Sequence, residues 1–339
     1  MKKSAGEVII LSQTPQSAGP QGPGERMHTT LTAGRLASGQ PIEIPVIMVR
    51  GPADGPTVYV QAAVHGSEVN GIEVIRRFLT DLEPSDLSGT VIAVPVANVL
   101  AFVDRQRRTP WEDEDMNRVW PGKENGTLSE RMAHSLFSRL VRQADAVIDL
   151  HTGYTDMVVH TVYMKDRRES RQLAEIFGTD VLIQEETSTE WEEKRFHGKL
   201  RNVCDEQGIP AITPELGGGG RFEETPIALG VRGIWNVLRH LGMVAGAAEV
   251  PVKQTVVAQG HLTRALAPEA GLFVPAVAPG DIVEFGQTLG SIYGIKRLID
   301  EADVVAPAAG MVVAINPNPT VHTGEMIAMM GRVIDTVTP

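Results

Sequence analysis

From residue 57 to about residue 240, short apolar runs alternate with stretches in which apolar positions recur every three or four residues. Residues 58–64, 90–96, 146–150 and 210–214 are apolar runs bounded by turn residues, the pattern of strands buried on both faces. Residues 72–81, 129–143, 167–177, 198–207 and 227–241 have helical period, with Ser129 placed as an N-cap. An earlier run at 42–49 also reads as a strand. Strands alternating with helices predict an α/β fold, a mixed central sheet flanked by helices on both faces.

Near residue 250 the pattern changes to short apolar runs rich in Val, Gly and Pro, separated by turn signals. Two pieces of this tail, 277–289 and 315–327, share a turn, a Val, a Gly, a polar residue and an apolar end. They predict a smaller C-terminal all-β domain with an internal pseudo-repeat. At the other end, residues 12–25 are polar and rich in Pro, Gly and Gln, with too little apolar surface to offset the entropy of ordering. The expected organisation is a flexible N-terminal extension (1–25), a catalytic domain (26–248) and a C-terminal β-domain (249–339).

Composition narrows the function classes. A net charge of −11 disfavours nucleic acid as a partner, because phosphate binding needs basic patches. The single cysteine, Cys204, excludes an intrachain disulfide framework and fits a reducing compartment, where it fills space as a small buried residue. No apolar stretch approaches the roughly 20 residues needed to span a bilayer. The run 8–11 is shorter than the about 7–15 residues of a signal-peptide core. The chain is therefore expected to be cytoplasmic, with no membrane partner.

The candidate chemistry lies at the ends of the predicted strands. His65 and Glu68 follow the first apolar run of the α/β region, and His151 follows the run at 146–150. Two imidazoles and a carboxylate suit Zn2+ and leave a fourth position for water. In open α/β sheets, ligands bind outside the carboxyl ends of the strands. A water activated by the metal needs a base. Glu215 is the candidate, because it ends the short strand at 210–214 and precedes four glycines that let substrate approach closely. The segment 105–118 carries Arg105, Arg107, Arg108 and the pair Asn117-Arg118. A guanidinium there matches a substrate carboxylate or a developing oxyanion.

His65-x-x-Glu68, Asp115-Met-Asn117-Arg118-x-x-Pro-Gly122, Asp149-Leu-His151-Thr-Gly153 and Pro214-Glu215-x-Gly217, in this order, resemble the succinylglutamate desuccinylase/aspartoacylase family, a branch of the zinc carboxypeptidase-like fold. The resemblance covers most of residues 57–220. It implies one zinc ion held by His65, Glu68 and His151, with Glu215 as general base and then acid. It further implies that Asn117 and Arg118 grip a substrate carboxylate and that an arginine upstream stabilises the oxyanion. Arg105, Arg107 and Arg108 compete for that last role, and Arg108 is chosen as the nearest to the Asp113/Asp115 turn. The tail is similar to barrel-sandwich domains that carry biotin or lipoate. Lys296 lies outside a Met-Lys-Met-like hairpin tip, so the tail is expected to be a structural cap or a surface for assembly into a homo-oligomer.

The implied activity is zinc-dependent hydrolysis of the amide bond of a small N-acyl amino acid. The alternatives are a carboxypeptidase acting on peptide C-termini and a non-catalytic zinc-binding module. Trp191, Arg195 and His197, in the loop before the Glu215 strand, and Tyr293 of the tail are within the sequence range of the pocket but are left as structural. His160 is left as structural, because it has no partner at ligand spacing.

Overall fold

A computed structural model describes residues 24–153, 156–186, 198–296 and 299–338. The expected N-terminal extension lies outside the described residues up to residue 23, as do Trp191, Arg195 and His197.

The chain enters through an antiparallel pair, β1 (Glu25–Arg35) and β2 (Pro41–Arg50). It continues through β3 (Ala53–Gln61), α1 (Asn70–Asp81), β4 (Ser88–Val94), α2 (Val99–Asp104), α3 (Leu128–Arg139) and β5 (Ala146–Asp149). Next come β6 (His151–Gly153), β7 (Asp156–Met157), β8 (His160–Met164), α4 (Arg168–Phe177) and β9 (Val181–Glu185). Then follow α5 (Leu200–Glu206), β10 (Ala211–Gly218) and α6 (Glu224–His240). The tail is entirely β: β11 (Gln254–Leu266), β12 (Gly271–Pro275), β13 (Ile282–Val283), β14 (Thr288–Gly294), β15 (Ile299–Val305), β16 (Gly310–Ile315), β17 (Thr320–Val321) and β18 (Met326–Val337).

Strand residues alternate between two cores, and this alternation places the helices. Val58 and Val60 of β3, with Ile148 and Ile212 of its neighbours, face a core completed by α1, α4 and α6. Tyr59, Val147 and Ala211 point the opposite way, into a core completed by α3 and α5. Period-2 side chains buried on both faces make these runs look apolar throughout. Helix α3 is capped by Thr127 rather than Ser129: Thr127 and Glu130 form a reciprocal capping box. The Ser129 hydroxyl is instead buried against Thr109 and Glu112.

Among the described residues the large sheet has 14 strands, twelve of them in the order β1-β2-β4-β3-β5-β10-β8-β9-β11-β18-β16-β13. β3, β5 and β10 are parallel neighbours at its centre. The short strands β8 and β9 escape the hydropathy pattern, and they carry the sheet onward: β9 pairs in parallel with β11. The β-rich tail thus shares the same sheet as the α/β region and adds a second, four-stranded sheet, β15-β14-β12-β17.

The pseudo-repeat takes the same local structure twice. Val283 and Val321 are buried in two-residue strands, Gly286 and Gly324 turn with φ of 78° and 82°, and Leu289 and Ile327 are buried in the strands that follow. One copy steps from the large sheet to the small one and the other steps back. Both contribute to a core shared by the two sheets.

Candidate active site

The carboxyl ends of β3, β5 and β10 converge because these strands are adjacent and parallel. The turn after β3 carries His65 and Glu68, and it packs tightly against α2. The Gly66 N–H donates to the Gln106 carbonyl at 2.7 Å, and a Cβ at Gly66 would overlap the Ala101 carbonyl. A side chain there would push the ligand turn off its seat. His151 opens β6, and Glu215 sits on β10 with its Cα paired to His151 on one side and to His160 of β8 on the other.

His65, Glu68 and His151 are each no more than 3% exposed, and one donor atom from each lies within 4.8 Å of the others. Glu68 stands between the two rings: Oε1 is 2.6 Å from His65 Nδ1, and Oε2 is 2.9 Å from His151 Nδ1. The Thr152 N–H also donates to Oε2, at 3.1 Å. The far nitrogens are held too. His65 Nε2 lies 2.9 Å from Asp115 Oδ1, and His151 Nε2 lies 3.0 Å from Asp149 Oδ2.

This arrangement tests whether a metal fits. If each Nε2–H donates to its aspartate, both Nδ1 atoms present bare lone pairs to a carboxylate, acceptor against acceptor. Only protons or a cation at that point relieve the repulsion. The electrostatics agree. Burial opposes a protonated His65, yet Glu68 and Asp115 outweigh it and raise its pKa. Burial likewise opposes protonation of His151, and Asp149 and Glu68 raise its pKa well above the ordinary value. Burial alone would raise the Glu68 pKa, but the two histidines hold it below the carboxylate range. Three carboxylates around two imidazoles therefore favour positive charge at their centre. Two nitrogens and an oxygen form an appropriate donor set for a divalent ion such as zinc.

Behind His151 runs a buried relay. Gln61 Nε2 donates to Asp149 Oδ1 at 2.8 Å, and the Tyr59 hydroxyl donates to Gln61 Oε1 at 2.8 Å. None of Tyr59, Gln61 and Asp149 is more than 1% exposed. The amide can satisfy both neighbours in only one orientation, which turns Asp149 Oδ2 toward His151 and selects the Nε2–H tautomer. If the three residues hold a divalent metal, Gln61→Leu is expected to weaken its binding by about 10–100-fold, read by titration against a competing chelator. Unchanged affinity would show that His151 needs no such support.

Arg107, Asn117, Arg118 and Glu215 line a cavity of about 210 Å³ beside these three residues. Arg107 bonds Asp115 through Nε (3.1 Å) and Nη2 (2.9 Å), and its Nη1 lies 3.7 Å from Glu68. Asn117 Oδ1 accepts the Leu200 N–H at 3.2 Å, and Arg118 Nη1 donates to the Asn117 carbonyl at 2.8 Å. Arg108, the arginine favoured from sequence, is not in the lining. Its Nη1 donates to the Asp113 carbonyl at 3.0 Å and to Asp113 Oδ2 at 2.9 Å. The nearness to the Asp113 turn that singled out Arg108 is what holds it outside. Tyr293, on β14, is also absent from the lining.

Glu215 is half-buried and lines the cavity. Burial raises its pKa above the ordinary carboxylate value, partly offset by His151. That is the direction a base working near neutral pH requires.

Several lining residues have no sequence signal. Arg201 of α5 is buried and donates to Thr213 Oγ1 at 2.5 Å and to Glu185, which also accepts from Lys199 Nζ at 2.8 Å. Burial lowers the Arg201 pKa to about 10. Val162, Ile183, Leu262, Val313 and Met329 supply an apolar wall, the last three from the tail.

Residues 54–241, more than half of the chain, match the model of the succinylglutamate desuccinylase/aspartoacylase catalytic domain. The chain is similar to an N-α-acetyl-L-2,4-diaminobutyric acid deacetylase of Halomonas elongata, 28% identical over 306 residues and covering 87% of each chain. Among solved structures, a succinylglutamate desuccinylase/aspartoacylase from Rhodobacter sphaeroides is 27% identical, with a TM-score of 0.78 over 91% of this chain and 96% of that one. A succinylglutamate desuccinylase from a Silicibacter species shares the fold at 24% identity, with a TM-score of 0.81 over 95% of this chain and 98% of that one. The family match spans every motif at the ends of β3, β5 and β10, and this chain belongs to the succinylglutamate desuccinylase/aspartoacylase family.

Proposed function

We propose that the chain is a zinc-dependent deacylase that hydrolyses the amide bond of a small N-acyl amino acid. The observation that carries this reading is the convergence of His65, Glu68, His151 and Glu215 at the ends of three parallel strands, beside a cavity lined by Arg107, Asn117 and Arg118. Held by His65, Glu68 and His151, a zinc ion would polarise the scissile carbonyl and lower the pKa of water.

The chain's own residues do the rest. Asn117 and Arg118 hold the substrate carboxylate and so orient the amide. Glu215 removes a proton from the attacking water as its oxygen bonds to the carbonyl carbon. Arg107 faces the negative charge that develops on the carbonyl oxygen. Glu215 then delivers the proton to the nitrogen, the C–N bond breaks, and the products are a carboxylate and an amine.

The size of the cavity supports a small substrate over a peptide. At about 210 Å³ it falls below the range of pockets that bury drug-sized ligands, which is roughly 300–1,000 Å³. The test is a panel assay with the metal content measured alongside. The panel holds N-α-acetyl-L-2,4-diaminobutyrate, other N-acetyl, N-succinyl and longer N-acyl amino acids, and short peptides. Amino acid release from an N-acyl amino acid, lost on chelation and restored by zinc, is expected. Release from peptides alone would establish a carboxypeptidase instead. A full complement of metal with no turnover would leave a binding protein.

A further inference from the structure

We infer that His160 accepts a hydrogen bond from the N–H of the scissile amide and so orients the nitrogen that Glu215 protonates. The inference rests on the deacylase reading above.

His160 occupies the β8 position whose Cα pairs with that of Glu215 on β10. It is 3% exposed and lines the same cavity. Its Nδ1 lies 2.8 Å from the Val158 carbonyl, a contact that requires the proton on Nδ1. In that tautomer Nε2 is an acceptor. Burial and the nearby Arg201 cation disfavour a second proton and bring the pKa to about 4, so the ring stays neutral near pH 7.

The rest of the polar lining shows what such an acceptor serves. Arg107, Arg118, Lys199 and Arg201 can only donate, suited to the carbonyl oxygen and the carboxylate of the substrate, and Asn117 spends its Oδ1 on the Leu200 N–H. Gln259 Oε1 and Thr152 Oγ1 are the lining's other buried side-chain acceptors with no partner among the described residues, and neither residue shares the strand pairing that sets His160 beside Glu215. Two of the lining carboxylates are engaged, Glu68 by the histidines and Glu185 by Lys199 and Arg201. The amide N–H is the donor that every N-acyl amino acid presents, and it needs an acceptor beside Glu215, because Glu215 acts on the same nitrogen. With the N–H directed to His160, the nitrogen lone pair that forms as the carbonyl carbon becomes tetrahedral is free to face Glu215.

The test uses two substrates that differ only at this atom: the N-acetyl amino acid that the wild type cleaves best, and its ester isostere, the O-acetyl hydroxy acid, which has no N–H. His160→Leu is expected to lower kcat/KM for the amide about 10-fold more than for the ester, the worth of one hydrogen bond. His160→Gln, which keeps an acceptor, is expected to restore most of that difference. Equal losses on both substrates, or a glutamine variant as poor as the leucine variant on the amide alone, would overturn the inference and leave His160 a packing residue. A wild type that cleaves neither substrate overturns the deacylase reading, and the inference with it.

Discussion

Glu215→Gln is expected to lower kcat by about 10²–10⁴-fold, the usual contribution of a positioned acid–base group, while the content of any bound metal and Tm stay close to wild type. The substitution keeps the shape of the side chain and removes only its ability to take and return a proton. Glu215 is not one of the three converging donor residues, so its loss does not dismantle the set. The backbone pairing of β10 with β6 and β8, which fixes its position, does not involve the carboxyl group. A fall in activity with full metal occupancy separates the proton-transfer role from metal binding. Wild-type turnover in the glutamine variant would remove Glu215 from the mechanism and require another base.

Arg107→Met is expected to lower kcat by about 10²–10³-fold, the cost of removing one oxyanion donor, and to change KM little. Arg108→Met is expected to stay within about twofold, as for an exposed side chain away from the site. The contrast is informative because the two residues are adjacent and carry the same charge. Arg107 reaches the cavity and braces Asp115, whereas Arg108 turns back onto Asp113. Arg107→Lys should recover little, because a point-charge ammonium cannot bond Asp115 and also face the substrate as a planar fork can. Since Asp115 also holds His65, metal content must be measured in the same variants. Loss of bound metal in Arg107→Met would assign Arg107 to site assembly rather than to the oxyanion. A large loss in Arg108→Met would show that the loop reorganises around bound substrate.

The two arginines also mark where sequence reading runs out. Loop 105–114 holds Trp111 and Asp113 at positive φ, 68° and 51°, and this backbone path decides which guanidinium enters the cavity. No periodicity encodes such a path, and nearness in sequence pointed to Arg108, which is not in the cavity lining. His160 is a second case. Its pairing with Glu215, 55 positions further along the chain, exists only through the register of β8 against β10. Glu185 and Arg201 are a third. The charges meet because β9 and α5 are brought to one cavity, and neither carries a motif.

The sequence by itself determined the alternation of strands and helices, the change of pattern near residue 250, the repeated turn at Gly286 and Gly324, and which two histidines and glutamate converge at the strand ends. All of these depend on interactions within a few residues: period-2 or period-3.6 burial, a glycine turn, or a polar group at the end of an apolar run. The tertiary structure alone decided that β9 joins β11 so that the tail walls the cavity, that Arg107 and not Arg108 faces it, and that His160 stands beside Glu215. Those contacts join positions far apart in the chain, and their partners are chosen by strand order and register, which local pattern does not specify.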